Sequence, residues 1–256
     1  MHNYINQYTM MGMTPSFGFI ENDKIYKCKN KSKVIVFDEN YKGDELEINY
    51  SYINNEPLNL NKKQWFKLTE VLSIFDKDYF QNYLNSDIKE TVHKYKNQNS
   101  KNYCLIKYEI ISIDEVLDMI EKWRYSAGWK YGFQEHAGYD KTFFKKYYNE
   151  NKDKLNCLFF YIDNILVGYS VIEKNYSNII DGIHEYKYLI RKCLLGYRNL
   201  CKFIDYSTFE YILKTNNESK FLINWGASSG GVLKYKTSNW FPVYSKEFKY
   251  FWKIKK

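Results

Sequence analysis

The feature that most limits how this chain can fold is the largely apolar run CLFFYIDNILVGYSVIEKN at residues 157–175. It predicts a β-hairpin whose arms are Cys157–Ile162 and Ile165–Glu173. Asp163 and Asn164 form the two-residue turn, because such turns require positive φ angles that these residue types tolerate. The run therefore predicts an antiparallel pair of strands.

The segments around this hairpin predict an α/β (α+β) fold, in which helices flank a mixed central sheet. Apolar, β-branched stretches predict strands, and apolar residues at helical spacing predict helices. One helix is expected after Ser112, because Glu115 three residues later completes a capping box. The other predicted elements are strands at 103–112, 184–194, 220–226 and 247–255 and helices at 140–155, 199–214 and 230–240.

Two regions are expected along the chain. Residues 1–100 predict a small N-terminal strand and helix region, and residues 101–256 predict the main domain. The polar segment 84–102 is the expected boundary between them. The first region is then either a truncated copy of the main domain or a module that recruits a partner. Its predicted elements are strands at 25–28, 33–37 and 45–53 and a helix at 61–75.

The excess positive charge is confined to the C-terminal part of the chain. Residues 154–256 hold 16 Lys and Arg against 8 Asp and Glu, whereas residues 1–153 hold 22 of each. Such an excess favours an anionic ligand, such as a phosphate-bearing cofactor, a nucleic acid or an anionic surface. The alternative is that these lysines form a solvated face without a ligand. Arg191 and Arg198 are two of only three arginines. They are the stronger candidates for binding phosphate, because a guanidinium donates in a fixed fork.

The composition excludes several classes of protein. Collagen, simple coiled coils and disordered chains do not combine 45% hydrophobic with 20% aromatic residues. No apolar stretch reaches the length of about 18 residues that a membrane span needs, and the N-terminus lacks the pattern of a signal peptide. A cytoplasmic protein is therefore expected. The five cysteines stand at scattered spacings, which predicts reduced core thiols and no metal site.

Two segments carry a resemblance to a known superfamily. FFYIDNILVGYSVI resembles the central hairpin of the Gcn5-related N-acetyltransferase (GNAT) superfamily, including its Gly-Tyr pair. NWGASSGGVLKYKTSNWFPV is similar to the closing segment of the branch that contains the Fem-type aminoacyl-tRNA-dependent transferases and the C-terminal domain of lysyl-phosphatidylglycerol synthase. There a strand end leads into a helix with an aromatic-Lys pair, here Tyr235-Lys236, and then an aromatic-Pro pair, here Phe241-Pro242. The resemblance covers the chain from Tyr103 onward.

The resemblance implies an acyltransferase that moves an acyl or aminoacyl group to an amine acceptor. The donor would be acetyl-CoA or another acyl-CoA, or an aminoacyl-tRNA as in the Fem-type branch, and no metal is implied. The superfamily's donor loop has two glycines, whereas RKCLLGYRNL at 191–200 has one, which is consistent with a changed donor. One alternative is an enzyme that modifies nucleic-acid bases on the same fold. Another is a non-catalytic module that binds nucleic acid or protein on a decayed form of the fold.

The resemblance and the residue types together predict the site residues. Acyl transfer to an amine needs a donor cradle, a polarised carbonyl and a route for the amine proton. The predicted catalytic residues are Glu185, Lys236 and Tyr235, with Glu185 as general base. The predicted donor-binding residues, around the turn 194–199, are Arg191, Lys192, Gly196, Tyr197 and Arg198. The predicted substrate-binding residues are Trp225, Ser228, Ser229, Trp129 and Glu135.

Overall fold

The computed structural model divides the chain into two compact units. One comprises Met1–Val71, Ala227–Lys234 and Ser245–Lys256, and the other comprises Leu72–Gly226 and Tyr235–Tyr244. The structure describes residues 19–21, 24–26, 51–53, 65–109, 112–126, 137–138, 140–180, 183–215, 219–228, 230–240 and 244–251.

Ten strands and four α-helices lie within these described residues. The strands are β1 Phe19–Glu21, β2 Lys24–Tyr26, β3 Ser51–Ile53, β4 Trp65–Asp76, β5 Leu105–Lys107, β6 Leu155–Ile162, β7 Ile165–Ile180, β8 Ile183–Cys193, β9 Lys220–Ser228 and β10 Tyr244–Phe251. The helices are α1 Ser86–Lys96, α2 Ile113–Ser126, α3 Leu200–Thr215 and α4 Gly230–Asn239. Short π-helical or 3₁₀ turns occur at Tyr79–Tyr83, Phe143–Tyr147 and Asn149–Lys154.

The smaller unit contains two pairs of short strands. β1 and β2 pair antiparallel, and β3 pairs antiparallel with the last residues of β10. The predicted strand at 33–37 lies outside the described residues, whereas part of the one predicted at 45–53 is β3.

The larger unit is built on a mixed six-stranded sheet in the order β4-β9-β8-β7-β6-β5. β5, β6, β7 and β8 pair antiparallel in turn, and β8 pairs with β9 in parallel. The predicted fold class is confirmed. The predicted hairpin is β6 and β7, and its turn residues Asp163 and Asn164 have φ angles of 50° and 61°.

Helices cover both faces of this sheet. On one face, Ser170 of β7 is hydrogen-bonded to Thr208 of α3 at 2.7 Å. On the other face, the Tyr161 hydroxyl of β6 donates to Glu115 of α2 at 2.9 Å. Because side chains alternate along a strand, the two contacts identify an α3 face and an α2 face. The Ser112 hydroxyl accepts from the Asp114 N–H, so Ser112 caps α2 as predicted.

The helix predicted at 61–75 is wrong, because its described residues, 65–75, lie in β4. Val71, Leu72 and Phe75 are all buried. A strand that is buried on both faces has apolar residues at many spacings, so helical and strand periodicity cannot be separated in it. Phe75 is fixed instead by tertiary packing, since its ring stacks on that of Phe209 at a centroid distance of 4.7 Å.

The polar segment 84–102, predicted as the boundary between the two regions, contains α1. The Asn85 side chain caps this helix by accepting from the Asp87 N–H at 2.9 Å. Ile88 and Tyr95 are fully buried, seven residues apart on one helical face. A narrow apolar stripe of this kind is easily missed in a sequence that is polar everywhere else.

Gly168 of β7 allows α3 to pack closely against the sheet. A Cβ at this position would lie 2.6 Å from Ile204 Cδ1 and 2.9 Å from the Lys192 carbonyl oxygen. We expect Gly168→Ala to lower the free energy of unfolding by about 1–2 kcal/mol, because the added methyl overpacks this contact. Denaturant titration measures the change. Gly196→Ala is the matched control, since nothing lies within 4 Å of a Cβ there, and an equal loss in both variants would contradict the packing explanation.

Candidate functional site

β8 and β9 lie side by side and then separate. They pair from Glu185–Lys187 to Leu222–Asn224, and within the described residues no pairing is recorded beyond these three. A β-bulge contributes to the separation, because Tyr188 and Ile190 pair with adjacent residues of β7 and leave Leu189 unpaired. A bulge bends the strand that contains it. The two strands are therefore parallel neighbours that separate beyond their three paired positions.

A chain of hydrogen bonds crosses this edge on the α2 face. The Gly226 N–H donates to Asn224 Oδ1 at 2.8 Å, and Asn224 Nδ2 donates to Glu185 Oε1 at 2.6 Å. Both ends of the Asn224 amide are used, which fixes its orientation. Glu185 is only 2% exposed. The predicted base is thus a buried carboxylate that is held in one position beside the opening.

Lys236 of α4 binds the main chain of β9 where β9 leaves β8. Its ammonium donates to the Trp225 carbonyl oxygen at 2.6 Å and lies 5.9 Å from the centre of the Trp225 ring. Lys236 is 8% exposed. The predicted catalytic lysine is therefore a buried residue.

A buried polar cluster occupies the α3 face of the same edge. Asp205 of α3, which is fully buried, accepts hydrogen bonds from the hydroxyls of Tyr188 at 2.7 Å and Tyr235 at 2.8 Å. Its second oxygen also accepts from the Arg191 guanidinium. That guanidinium lies 4.7 Å from the centre of the Tyr235 ring. One carboxylate thus joins three elements, β8, α3 and α4. We call these four residues, Tyr188, Arg191, Asp205 and Tyr235, the Asp205 cluster.

The environment of this cluster keeps its phenols protonated. Burial and the neighbouring Asp205 carboxyl raise the pKa of Tyr188 and of Tyr235 well above the ordinary value of a phenol. Burial also raises the pKa of Asp205, although the Arg191 guanidinium and the two phenols oppose that rise. A protonated phenol of fixed orientation can donate a hydrogen bond or a proton.

The turn between β8 and α3 contains three of the predicted donor-binding residues. Gly196 and Arg198 are exposed and Tyr197 is partly buried. Among the described residues, no backbone hydrogen bond is recorded for the N–H groups of these three. The Tyr95 hydroxyl donates to the Arg198 carbonyl oxygen at 2.9 Å and so ties the turn to α1.

Arg191 and Lys192 lie apart from that turn's surface and on opposite faces of β8. Arg191 belongs to the Asp205 cluster, whereas the Lys192 ammonium lies 3.5 Å from Asp140 Oδ2 and 4.7 Å from the centre of the Trp123 ring. Both cations therefore have internal partners. Of the two arginines predicted to bind phosphate, Arg191 and Arg198, only Arg198 is exposed.

The predicted substrate-binding residues are only partly described. The Trp225 ring is in the core, where its indole N–H donates to the Ser73 hydroxyl at 2.9 Å. Ser228 lies in β9, and nothing is described of its side chain. Trp129, Glu135 and Ser229, like the Phe241-Pro242 pair, fall outside the described residues.

Sequence reasoning missed Asp205 and Asn224. Asp205 follows Phe203 and Ile204 in a helix predicted to pack inward, and a carboxylate next to that apolar face was the available signal. For Asn224 the available signal was the asparagine at the strand end of NWGASSGGVLKYKTSNWFPV, but its role depends on Glu185 of a neighbouring strand.

No helix within the described ranges is both long and apolar enough to cross a membrane. In the same part of the chain, no group of three or more His, Cys, Asp or Glu side chains is placed to hold a metal ion.

Comparison with known proteins gives a likeness of fold. No model of a protein family matches the sequence, and no curated protein matches it. A conserved protein of unknown function from Bacteroides thetaiotaomicron is 11% identical, with a TM-score of 0.51 over 75% of this chain and 64% of its own. This chain therefore spans less than two thirds of that protein.

Two other solved structures with lower TM-scores are named for their superfamily or enzyme. L-PGS from Bacillus licheniformis is 11% identical, with a TM-score of 0.44 over 75% of this chain and 62% of its own. A tandem GNAT protein from the clavulanic acid biosynthesis pathway is 11% identical, with a TM-score of 0.43 over 72% and 52% of the two chains. At such identities a likeness concerns the fold alone. The mixed sheet with helices on both faces is the architecture that the predicted resemblance implied, so the likeness is one of fold.

Proposed function

We propose that the chain is an acyltransferase that moves an acyl or aminoacyl group from a CoA thioester or an aminoacyl-tRNA to an amine. The observation that best supports this is the grouping of chemical roles at one sheet edge. A held carboxylate, Glu185, lies on one side of the β8–β9 opening, and a held phenol, Tyr235, lies on the other. The exposed turn with Gly196 follows directly at the end of β8. Base, acid and anion-binding turn are the parts that acyl transfer needs.

The donor would bind at the turn between β8 and α3. The N–H groups of Gly196, Tyr197 and Arg198 fit a phosphate, because backbone N–H groups before a helix bind anions. The Arg198 guanidinium adds a charge on the surface. Arg191 and Lys192 do not fit this role, since each already binds a carboxylate of the chain. A CoA thioester or an aminoacyl-tRNA would supply the activated acyl group when bound.

The chain's own residues would move the protons. Glu185 takes the proton of the attacking amine, and Asn224 keeps its Oε1 in place. Tyr235 donates its proton to the leaving group when its hydroxyl turns away from Asp205, to which it donates in this structure. Lys236 positions the Trp225 main chain at the opening. Trp129, Glu135, Ser228 and Ser229 remain our proposal for binding the acceptor.

The test is to mix the purified chain with separate panels of acyl-CoA thioesters and aminoacyl-tRNAs in the presence of amines. Release of the CoA thiol and transfer of a labelled amino acid are followed, and native mass spectrometry detects bound donor. Transfer from either donor supports the proposal. Binding of nucleic acid or protein without any transfer contradicts it and favours a non-catalytic module. Modification of a base in the nucleic acid would favour the base-modifying alternative.

Glu185→Gln tests the assignment of the base. We expect turnover to fall by about 100-fold or more, because proton transfer by a positioned side chain contributes roughly that much. The amide keeps an oxygen that can accept from Asn224, so the thermal midpoint should change little. Glu173→Gln is the matched control, since Glu173 of β7 is also 2% exposed but is not assigned to the site. Equal losses of turnover in both variants would contradict the role of Glu185.

A further inference from the structure

Two cysteines face each other where β8 ends and α3 begins. Cys193 is the last residue of β8, and Cys201 is in the first turn of α3. Their thiols lie close enough for each to shift the pKa of the other. Both are free thiols and both are partly exposed, whereas Cys104 and Cys157 are free and buried. A pair of accessible, adjacent thiols is the arrangement that oxidation can join.

The backbone geometry explains why these thiols meet. Arg191 and Cys193 are two residues apart on β8, a rise of about 6.6 Å, and they share a face. Asp205 and Cys201 are four residues apart on α3, a rise of about 6 Å, and they share a face. Because Arg191 binds Asp205, the matching spacing brings Cys193 opposite Cys201. The close approach of α3 to the sheet beside Cys193 occurs at Gly168.

We infer that Cys193 and Cys201 form a dithiol site that a hydroperoxide oxidises to a disulfide, which links the two ends of the turn 194–200. The site does not depend on the proposed acyl transfer. It uses cysteines to which the mechanism gives no role.

The environment makes the two sulfurs chemically different. The hydrogen bond with Cys193, together with the Arg191 guanidinium, lowers the pKa of Cys201 to about 6. The hydrogen bond with Cys201 and burial raise the pKa of Cys193 well above its ordinary value. Asp205 opposes the lowering at Cys201, and the Tyr235 hydroxyl supports it. Cys201 is thus the nucleophile and Cys193 the resolving thiol.

The reaction balances as two steps. The Cys201 thiolate attacks one oxygen of hydrogen peroxide and the O–O bond breaks, which gives a sulfenic acid and a hydroxide that takes a proton from solvent to become water. The Cys193 sulfur then attacks the Cys201 sulfur, the S–S bond forms and the S–O bond breaks. Hydroxide leaves and takes the Cys193 proton, which yields a second water. Two electrons pass from the dithiol to the peroxide.

The test uses the reduced full chain and hydrogen peroxide. Trypsin cleaves after Lys192, Arg198 and Lys202, so Cys193 and Cys201 fall in separate peptides, 193–198 and 199–202. We expect peroxide to lower the mass of the chain by two hydrogen atoms and to join these peptides by a bond that dithiothreitol cleaves. Cys104 and Cys157 are internal controls and should stay reduced. A chain that forms no such link, or that links other cysteines first, would overturn the proposal.

Two variants and one rate test the division of roles. In Cys193→Ser, peroxide should leave a sulfenic acid at Cys201 that dimedone traps, whereas Cys201→Ser should leave Cys193 unreacted. In the wild-type chain, iodoacetamide should alkylate Cys201 at least about 10-fold faster than Cys104 at pH 7. Its rate should reach half its maximum near the pKa of about 6. Equal reactivity of Cys201 and Cys104 would contradict the assignment, and this measurement needs no variant to fold.

Discussion

Arg191→Met should lower the free energy of unfolding by about 3–5 kcal/mol, because it removes the charged partner of the fully buried Asp205 carboxylate. Asp205 is fully buried and would keep only the Tyr188 and Tyr235 hydroxyls as donors. Methionine retains most of the length and the apolar contacts of the arginine stem. Urea denaturation at neutral pH, followed by circular dichroism, measures the loss.

Arg198→Met is the matched control for this prediction. Arg198 lies seven residues further along and is exposed, so its loss should change stability by no more than about 0.5 kcal/mol. If the proposed donor site is right, the same variant should weaken donor binding, because Arg198 is the surface cation of the turn. Equal stability of the two variants would show that the Arg191–Asp205 pair contributes little.

A second substitution shows how much of the stability loss comes from the unpaired Asp205 carboxylate and how much from other effects of removing Arg191. Arg191→Met combined with Asp205→Leu replaces the buried charges by apolar side chains, which is often neutral or stabilising for a buried ion pair. We expect this double variant to be more stable than Arg191→Met alone. The unpaired carboxylate is not the cause of the loss if the double variant is less stable.

Lys236→Met should lower the free energy of unfolding by about 1.5–3 kcal/mol, because it leaves the Trp225 carbonyl oxygen without its charged donor. An exposed lysine with a purely catalytic role would slow turnover when it is lost and leave stability almost unchanged. The buried position reverses that expectation for stability. The thermal midpoint and the denaturant midpoint are measured together with turnover at a temperature where the variant is folded.

Lys234→Met provides the comparison, since Lys234 is two residues away on α4 and exposed. Its midpoints should match those of the wild-type chain. A turnover loss of about 100-fold in Lys236→Met with unchanged midpoints would mean that the ammonium acts on developing charge. The structural role described here would then be wrong.

Local chemistry made a large part of the fold predictable. The hairpin of β6 and β7 follows from two apolar runs and a turn at Asp163 and Asn164, where both residues take the positive φ that such a turn needs. The start of α2 follows from the capping side chain of Ser112. The order of strands and helices, and with it the resemblance of fold, is likewise contained in short stretches of sequence.

Apolar periodicity failed to predict the right element where burial on both faces of a segment removed the periodicity. β4 was predicted as a helix because its apolar residues are frequent enough to fit either period. Val71, Leu72 and Phe75 are all buried. α1 was missed for the opposite reason, since only a few of its residues face the core. In both segments the neighbouring elements decide the structure.

The sequence by itself determined which residues could do chemistry at the β8–α3 turn and in the closing helix. Only the tertiary structure decided how their charges are used. Arg191 and Lys192 are adjacent in sequence, yet they bind Asp205 and Asp140 on opposite faces of one strand. The physical reason is that packing decides which partner a charged side chain meets, and such partners come from distant segments of the chain. Asp205, Asn224 and the Cys193–Cys201 contact therefore became visible only when β8, α3 and β9 were assembled.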